Sequence, residues 1–233
     1  MYGDPNPSGT IERCRVQPDG FLALSESTSW RLGAILFARR SNAFAVVRKA
    51  PVSGGGYEFA GLHALPGGMA RASRSSNGET GSPQDILKES LLDRVRREVG
   101  LTNENLQNPV FASVGPIVSS YTAKGSQRFT LIVPFTSEVG SAASLQVSDR
   151  SVDDASWMPI PPAWEGLAPG NLVAIAHLVW SEMDEGQRAA ARPLVDGSAR
   201  RCSEWARSIG VAPVPPPWAS RDEITEWCAS WPR

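Results

Sequence analysis

The chain has 233 residues, 41% hydrophobic and 20% charged, enough apolar material to bury a sizeable core as one large domain or one domain with an extension. Its 23 Lys and Arg against 24 Asp and Glu leave a net charge of -1, which gives no general attraction to nucleic acid or an anionic membrane, so any affinity for phosphate must be local. Cys14, Cys202 and Cys228 form an odd set without metal-ligand spacing, which points to a reducing compartment and buried or free thiols rather than a disulfide framework. No apolar run approaches the roughly 20 residues of a membrane span. The start Met1-Tyr2-Gly3-Asp4-Pro5 lacks the basic and apolar segments of a signal peptide, so the expected location is cytoplasmic.

In chain order, residues 1–29 form a turn-rich N-terminal segment with one short candidate strand at Phe21-Leu22-Ala23-Leu24. Leu32 to Phe37 and Phe44 to Val47 then read as two strands of a hairpin across the turn signal Ser41-Asn42. The flexible connector Ser53-Gly54-Gly55-Gly56 lacks the spacing of a dinucleotide or P-loop motif. Tyr57 to Leu65 is expected as a further strand that delivers Pro66-Gly67-Gly68, where glycine allows backbone approaches a side chain would block. Ala70 to Gly81 has the composition of a mobile loop.

Ser82-Pro83 starts a helix, with serine as N-cap and proline at the first helical position. Leu87, Leu91, Leu92, Val95 and Val99 form its apolar stripe, and Gly100 ends it. Ser90, Arg94 and Glu98 fall four residues apart and line a separate face. Val110 to Pro116 and Arg128 to Phe135 read as strands, with Tyr121 to Gly125 a polar loop between them in which Lys124 is available to a phosphate. Asn171 to about Val195 is helical, and residues 198–233 are expected to add two short helices around Pro213 to Pro217. That tail carries Trp205, Trp218, Trp227 and Trp231, which need a surface: the domain itself, or a dimer or partner contact. Of the two histidines, His177 lies on the late helix and His63 just before Pro66, and their spacing supports no shared metal site.

Leu65-Pro66-Gly67-Gly68, the capped helix closing on Glu98-Val99-Gly100-Leu101, and the late Ala155-Ser156-Trp157-Met158-Pro159 together resemble the Nudix family over roughly residues 30–180. The family's box reads G-x5-E-x7-R-E-U-x-E-E-x-G-U, with U aliphatic. Val95, Glu98, Gly100 and Leu101 match it, whereas Asp93 stands for its arginine and Arg94 and Arg97 for two of its glutamates. The resemblance implies an α+β fold of Nudix type. That fold is an α/β/α sandwich with a mixed β-sheet over residues 30–180, followed by a Trp-rich helical extension at residues 181–233.

In relatives that hydrolyse diphosphates, the helix face presents glutamates to Mg or Mn, hard cations that favour carboxylate oxygen, and the metal orients water for attack on phosphorus. Here that row becomes a salt bridge between Arg94 and Glu98, with Arg97 adding charge. The leading expectation is a protein that binds a nucleoside diphosphate derivative or related phosphorylated metabolite through Gly67, Gly68, Arg94 and Arg97, with metal-dependent hydrolysis lost or weak and no metal required. The alternative is an active Mg- or Mn-dependent diphosphate hydrolase that recruits Glu98 with Glu79, Glu89 or Asp93 as catalytic and metal-binding carboxylates, Asp93 lying about 100° away on the helix. Glu138, Asp149, Asp153 and Asp154 are candidate late-loop bases, and a protein-interaction role is the third reading.

Overall fold

The computed structural model describes residues 11–24, 30–51, 59–72, 81–112, 114–123 and 126–220. Strands β1 (Cys14–Val16) and β2 (Leu22–Leu24) form a small antiparallel ribbon. Next come β3 (Trp30–Arg40) and β4 (Ala43–Lys49), joined at Ser41, whose φ of 53° makes the expected turn. Beyond Arg39 and Arg40 the two strands part, and the N-terminal half of β3 pairs instead with β6 (Gly67–Met69). Strand β5 (His63–Ala64) pairs with β4.

The rest of the sheet comprises β7 (Val110–Phe111), β8 (Ile117–Ala123), β9 (Ser126–Glu138) and β10 (Val152–Pro159). Its order is β10-β4-β3-β9-β7, with β8 also on β9, and the β3–β9 pair is parallel while the others are antiparallel. This is a mixed sheet. Helix α1 (Pro83–Val99) covers one face, and α2 (Pro169–Val179) with α3 (Glu185–Ser208) covers the other. Strand β3 is apolar on both sides because both are covered. Leu32, Ala34 and Leu36 meet Leu87, Leu91 and Val95 of α1, whereas Ile35 and Phe37 meet Val173 and Val179 of α2 and Val195 of α3. The arrangement is the α/β/α sandwich that the resemblance implies.

Helix α1 begins and ends on the signals visible in the chain. The Ser82 hydroxyl accepts from the Asp85 N–H at 3.2 Å, Pro83 occupies the first turn, and Gly100 takes φ 75° while its N–H donates to the Arg96 carbonyl. The thiols of Cys14 and Cys202 are buried, and burial pushes them up to about 11 and about 12, so neither is a ready nucleophile. Cys228 lies outside the described residues.

Several boundaries differ from those expected. Of the strand expected over Tyr57 to Leu65, only His63–Ala64 pairs. Phe59 to Leu62 turn instead, with Gly61 at φ 82° and the Leu62 N–H bonded to the Phe59 carbonyl, and residues 52–58 lie outside the described set. Tyr121 to Ala123 is not loop but the end of β8, which runs in register with β9 from Ile117↔Ile132 to Ala123↔Ser126. The ladder is held by backbone bonds, which its polar side chains concealed. The helix expected from Asn171 to Val195 breaks at a 3-10 turn, Trp180–Glu182, and restarts where Asp184 and Gln187 form a capping box. It then runs to Ser208, replacing the first of the two short tail helices.

Residues 181–220 do not stand apart from the sandwich. Ala191, Val195 and Ala199 share the α2 core, and Trp218 lies 4.7 Å from Trp180, centroid to centroid. Trp227 and Trp231 lie outside the described residues. No described helix is long and apolar enough to cross a membrane.

Gly67 is where the sheet is least tolerant. Its φ is 146°, and a Cβ there would fall 2.2 Å from the Ala34 carbonyl oxygen and 2.8 Å from Ile35 Cα, both rigid backbone. Gly67→Ala should cost about 3 kcal/mol or more in urea denaturation. A loss below about 0.5 kcal/mol, the scale of an ordinary surface change, would contradict this account of the strand crossing.

Candidate functional site

The last turn of α1, the end of β4 and the start of β6 converge on one carboxylate. Glu98 is 1% exposed, and both of its oxygens are engaged. Oε1 accepts from Lys49 Nζ at 2.8 Å, and Oε2 accepts from the Gly67 N–H at 2.9 Å. Gly67 can bring its N–H this deep because it carries no side chain against β3. Arg94, one turn earlier, lies 4.0 Å from Glu98 Oε1, but its closer partner is Asp149, at 3.0 Å from the guanidinium. Ser90, the first of the row, accepts from the Arg71 N–H and donates to the Arg71 carbonyl. Each member of the row therefore fastens a different segment to the helix.

Asp149 is the partner that spacing alone did not single out from the late acidic residues. Its Oδ2 bridges Arg94 and Arg97, the latter at 2.6 Å, and its Oδ1 accepts from the N–H and hydroxyl of Ser151. Burial raises its carboxyl, but the Ser151 bonds and then the two guanidinium charges outweigh this and hold it below the usual carboxylate range. The segment around it also caps α1: the Gln146 N–H donates to the Val99 carbonyl, and the Ser148 N–H to that of Arg97.

Glu98 and Arg94, but not Asp149, line an open cavity of about 250 Å³. Its walls include Lys49, Leu65, Gly68, Arg94, Glu98 and Asn171. Gly68 sits over Arg94, and a Cβ there would come 3.3 Å from Arg94 Nε, so the glycine leaves the guanidinium its place. Asn171 was not singled out in the sequence. It is 9% exposed at the start of α2, and its Oδ1 accepts from the Leu65 N–H at 2.8 Å, fixing the chain just before Pro66.

Of the residues expected at the site, the structure brings together Gly67, Gly68, Arg94 and Glu98. Arg97 is near but is not a cavity-lining residue; it pairs with Asp149 and with Asp93 at 3.0 Å. Asp93 is exposed and is taken by Arg96 and Arg97, and Glu89 is exposed on the same helix. Glu79 and Lys124 lie outside the described residues. Glu138, Asp153 and Asp154 are exposed and do not line the cavity. His177 is held by the Pro215 carbonyl at 2.7 Å, and burial lowers its pKa. His63 is not among the cavity-lining residues.

A divalent cation of the kind the resemblance implies needs several oxygen ligands. Among the described residues no group of three or more His, Cys, Asp or Glu is placed to hold a metal, and Glu98 is the single carboxylate in the cavity wall. That carboxylate already carries an ammonium and a backbone donor, with a guanidinium beside it. The donor set among the described residues does not fit the metal.

No family model matches the chain, and no curated protein matches it. Similar solved structures include the NUDIX domain of Shewanella oneidensis NrtR complexed with ADP ribose, at 16% identity over 72% of this chain and 94% of that one, TM-score 0.44. The MutT NUDIX hydrolase from Burkholderia pseudomallei is 12% identical over 63% and 95%, TM-score 0.44. A C. elegans Ap4A hydrolase binary complex is 11% identical over 67% and 100%, TM-score 0.42. Likeness at this level leaves the chemistry to this chain's own residues.

Two outcomes test the geometry. Lys49→Met leaves Glu98 buried and uncompensated, so it should cost about 3 kcal/mol, and adding Glu98→Gln, which keeps an acceptor for Gly67, should recover most of that loss. Additive losses in this double-mutant cycle would rule out the coupling. Because the folded pKa of Asp149 is depressed, the unfolded chain takes up a proton first as pH falls, so its stabilisation is complete above the usual carboxylate range and lost as pH drops through the folded value. Asp149→Asn should therefore be less stable than the native chain at pH 7, with the difference shrinking below about pH 4; a constant difference would contradict this.

Proposed function

We propose that the chain binds a nucleoside diphosphate derivative or a related phosphorylated metabolite in this cavity, and that metal-dependent hydrolysis is lost. The observation that carries the reading is the state of Glu98. A carboxylate that is to hold a cation must offer its oxygens to it, and here both are turned to internal donors, Lys49 and Gly67. Freeing them would leave a half-buried ammonium and a buried N–H without partners, a cost of up to about 3 kcal/mol for the ion pair.

The same exchange leaves cationic groups where a phosphate needs them. Lys49 and Arg94 line the cavity against the one carboxylate, and the Arg94 side chain keeps 30% of its surface exposed. Asp149 holds that guanidinium by one nitrogen, at 3.0 Å, so the fork retains donors for a phosphate oxygen. A phosphate bound here is neutralised by protein cations in place of a metal. At about 250 Å³ the cavity is smaller than the roughly 300–1,000 Å³ of typical ligand pockets. The ligand therefore extends through its open side.

The test is thermal stabilisation by a panel of nucleoside diphosphates, ADP-ribose and coenzyme A in the presence of a chelator, alongside phosphate release with Mg or Mn. At ligand about a hundred times Kd, stabilisation near 2.7 kcal/mol is expected, or a rise of about 5–10 °C in Tm. Arg94→Gln should abolish it. Metal-dependent turnover that Glu98→Gln removes would overturn the reading in favour of an active hydrolase.

A further inference from the structure

Arg94 meets both of its carboxylates with one nitrogen. Nη1 donates to Asp149 Oδ2 at 3.0 Å and stands 4.0 Å from Glu98 Oε1, so the two anions draw on the same corner of the guanidinium. The edge formed by Nε and Nη2 is turned elsewhere. A Cβ on Gly68 would lie 3.3 Å from Nε, 3.6 Å from Nη2 and 3.7 Å from Cζ. With Cζ the farthest of the three, it is the Nε–Nη2 edge and not the flat face that points at the glycine. Among the described residues nothing accepts from Nε or Nη2, and Gly68, having no side chain, leaves that edge uncovered at the cavity wall. These two N–H groups are parallel, the arrangement that matches two oxygens of one phosphate.

Asp149 acts on Arg94 from outside the cavity, whose walls it does not line. It is itself anchored. Oδ1 accepts from the Ser151 N–H at 2.9 Å and the Ser151 hydroxyl at 2.7 Å, and Oδ2 also accepts from Arg97 Nη1 at 2.6 Å. Arg97 shares the Asp149 charge, which lessens its repulsion of an incoming anion. A carboxylate that competed with a ligand would cover Nε and Nη2, whereas Asp149 leaves both clear. Ordering a long side chain is a cost that binding must otherwise bear, and a guanidinium already held has met it on folding.

We infer that Asp149 is a positioning residue for ligand binding: it holds Arg94 by Nη1 so that the Nε–Nη2 edge grips two oxygens of one phosphate group. The inference rests on the proposed phosphate-binding reading and adds which edge of Arg94 is used and what fixes it. Charge alone predicts the opposite effect, since deleting an anion beside a phosphate-binding cation strengthens the attraction for phosphate. The sign of the change therefore separates the two roles.

The experiment is calorimetric titration of the full chain with inorganic diphosphate in a chelator, at a temperature where circular dichroism shows each variant folded. Arg94→Lys keeps the charge but lacks the two-donor edge, and it should weaken binding about tenfold. Asp149→Asn should also weaken it about tenfold in the native background, yet change it by less than about twofold when Arg94→Lys is already present. Ser151→Ala removes one of the two bonds on Oδ1; it should weaken binding about threefold, again only while Arg94 is present, and it carries the test should Asp149→Asn not fold. Unchanged or tighter binding by Asp149→Asn, or an equal loss in both backgrounds as a merely structural role would give, overturns the inference. Binding that needs Arg94 but is indifferent to Asp149 and Ser151 sinks the inference and leaves the phosphate reading standing. If the native chain does not bind diphosphate, the phosphate reading fails and the inference fails with it.

Discussion

The carboxylate of Glu98 joins three parts of the chain that are distant in sequence. One oxygen holds the end of β4 through Lys49, the other holds the Gly67 turn, and the side chain itself grows from the last turn of α1. A buried charge is tolerable only when it is paired and hydrogen-bonded, so the positions of these three elements are mutually required. The rest of the site follows from that. With α1 seated on the sheet, Arg94 falls beneath Gly68 and Arg97 reaches outward, and Asp149 closes the gap between the two guanidinium groups. The segment from Gln146 to Ser151 then folds over the C-terminal end of α1 to satisfy its carbonyls.

A helix face that offers carboxylates to a cation and one that offers a guanidinium to an anion use the same backbone. What changes is the sign of the group one turn before Glu98. With a positive neighbour, Glu98 is an internal counter-ion. The chemistry of the cavity then depends on which cations remain accessible and on the neutral polar groups that share its wall, Ser119, Thr130 and Asn171. Fold and chemistry separate at this point: the sandwich fixes where the cavity lies, and side chains of the helix row fix its charge.

Much of the scaffold was legible in the chain because its signals are local. Ser82-Pro83 and Gly100 mark α1, the two apolar runs on either side of Ser41-Asn42 mark β3 and β4, and Gly67 announces a close backbone approach. The errors arose where tertiary partners decide. Strand β8 is polar by composition and exists because β9 runs beside it. The break between α2 and α3 depends on a capping box that competes with an otherwise continuous apolar stripe. At the site, the proximity of Arg94 and Glu98 was readable from their spacing. The partners Lys49, Asp149 and Asn171 were not identifiable as such, because each makes its contact from a distant segment: the nearest in sequence among them, Lys49 to Glu98, spans 49 residues.

The central claim is that Glu98 serves as a buried counter-ion and not as a metal ligand. The most direct test is titration of the native chain with Mn²⁺ while free Mn²⁺ is followed by electron paramagnetic resonance, with Glu98→Gln measured in parallel. The account predicts only weak binding and the same free-Mn²⁺ curve for both proteins. A stoichiometric Mn²⁺ site in the native chain that disappears in Glu98→Gln would contradict it.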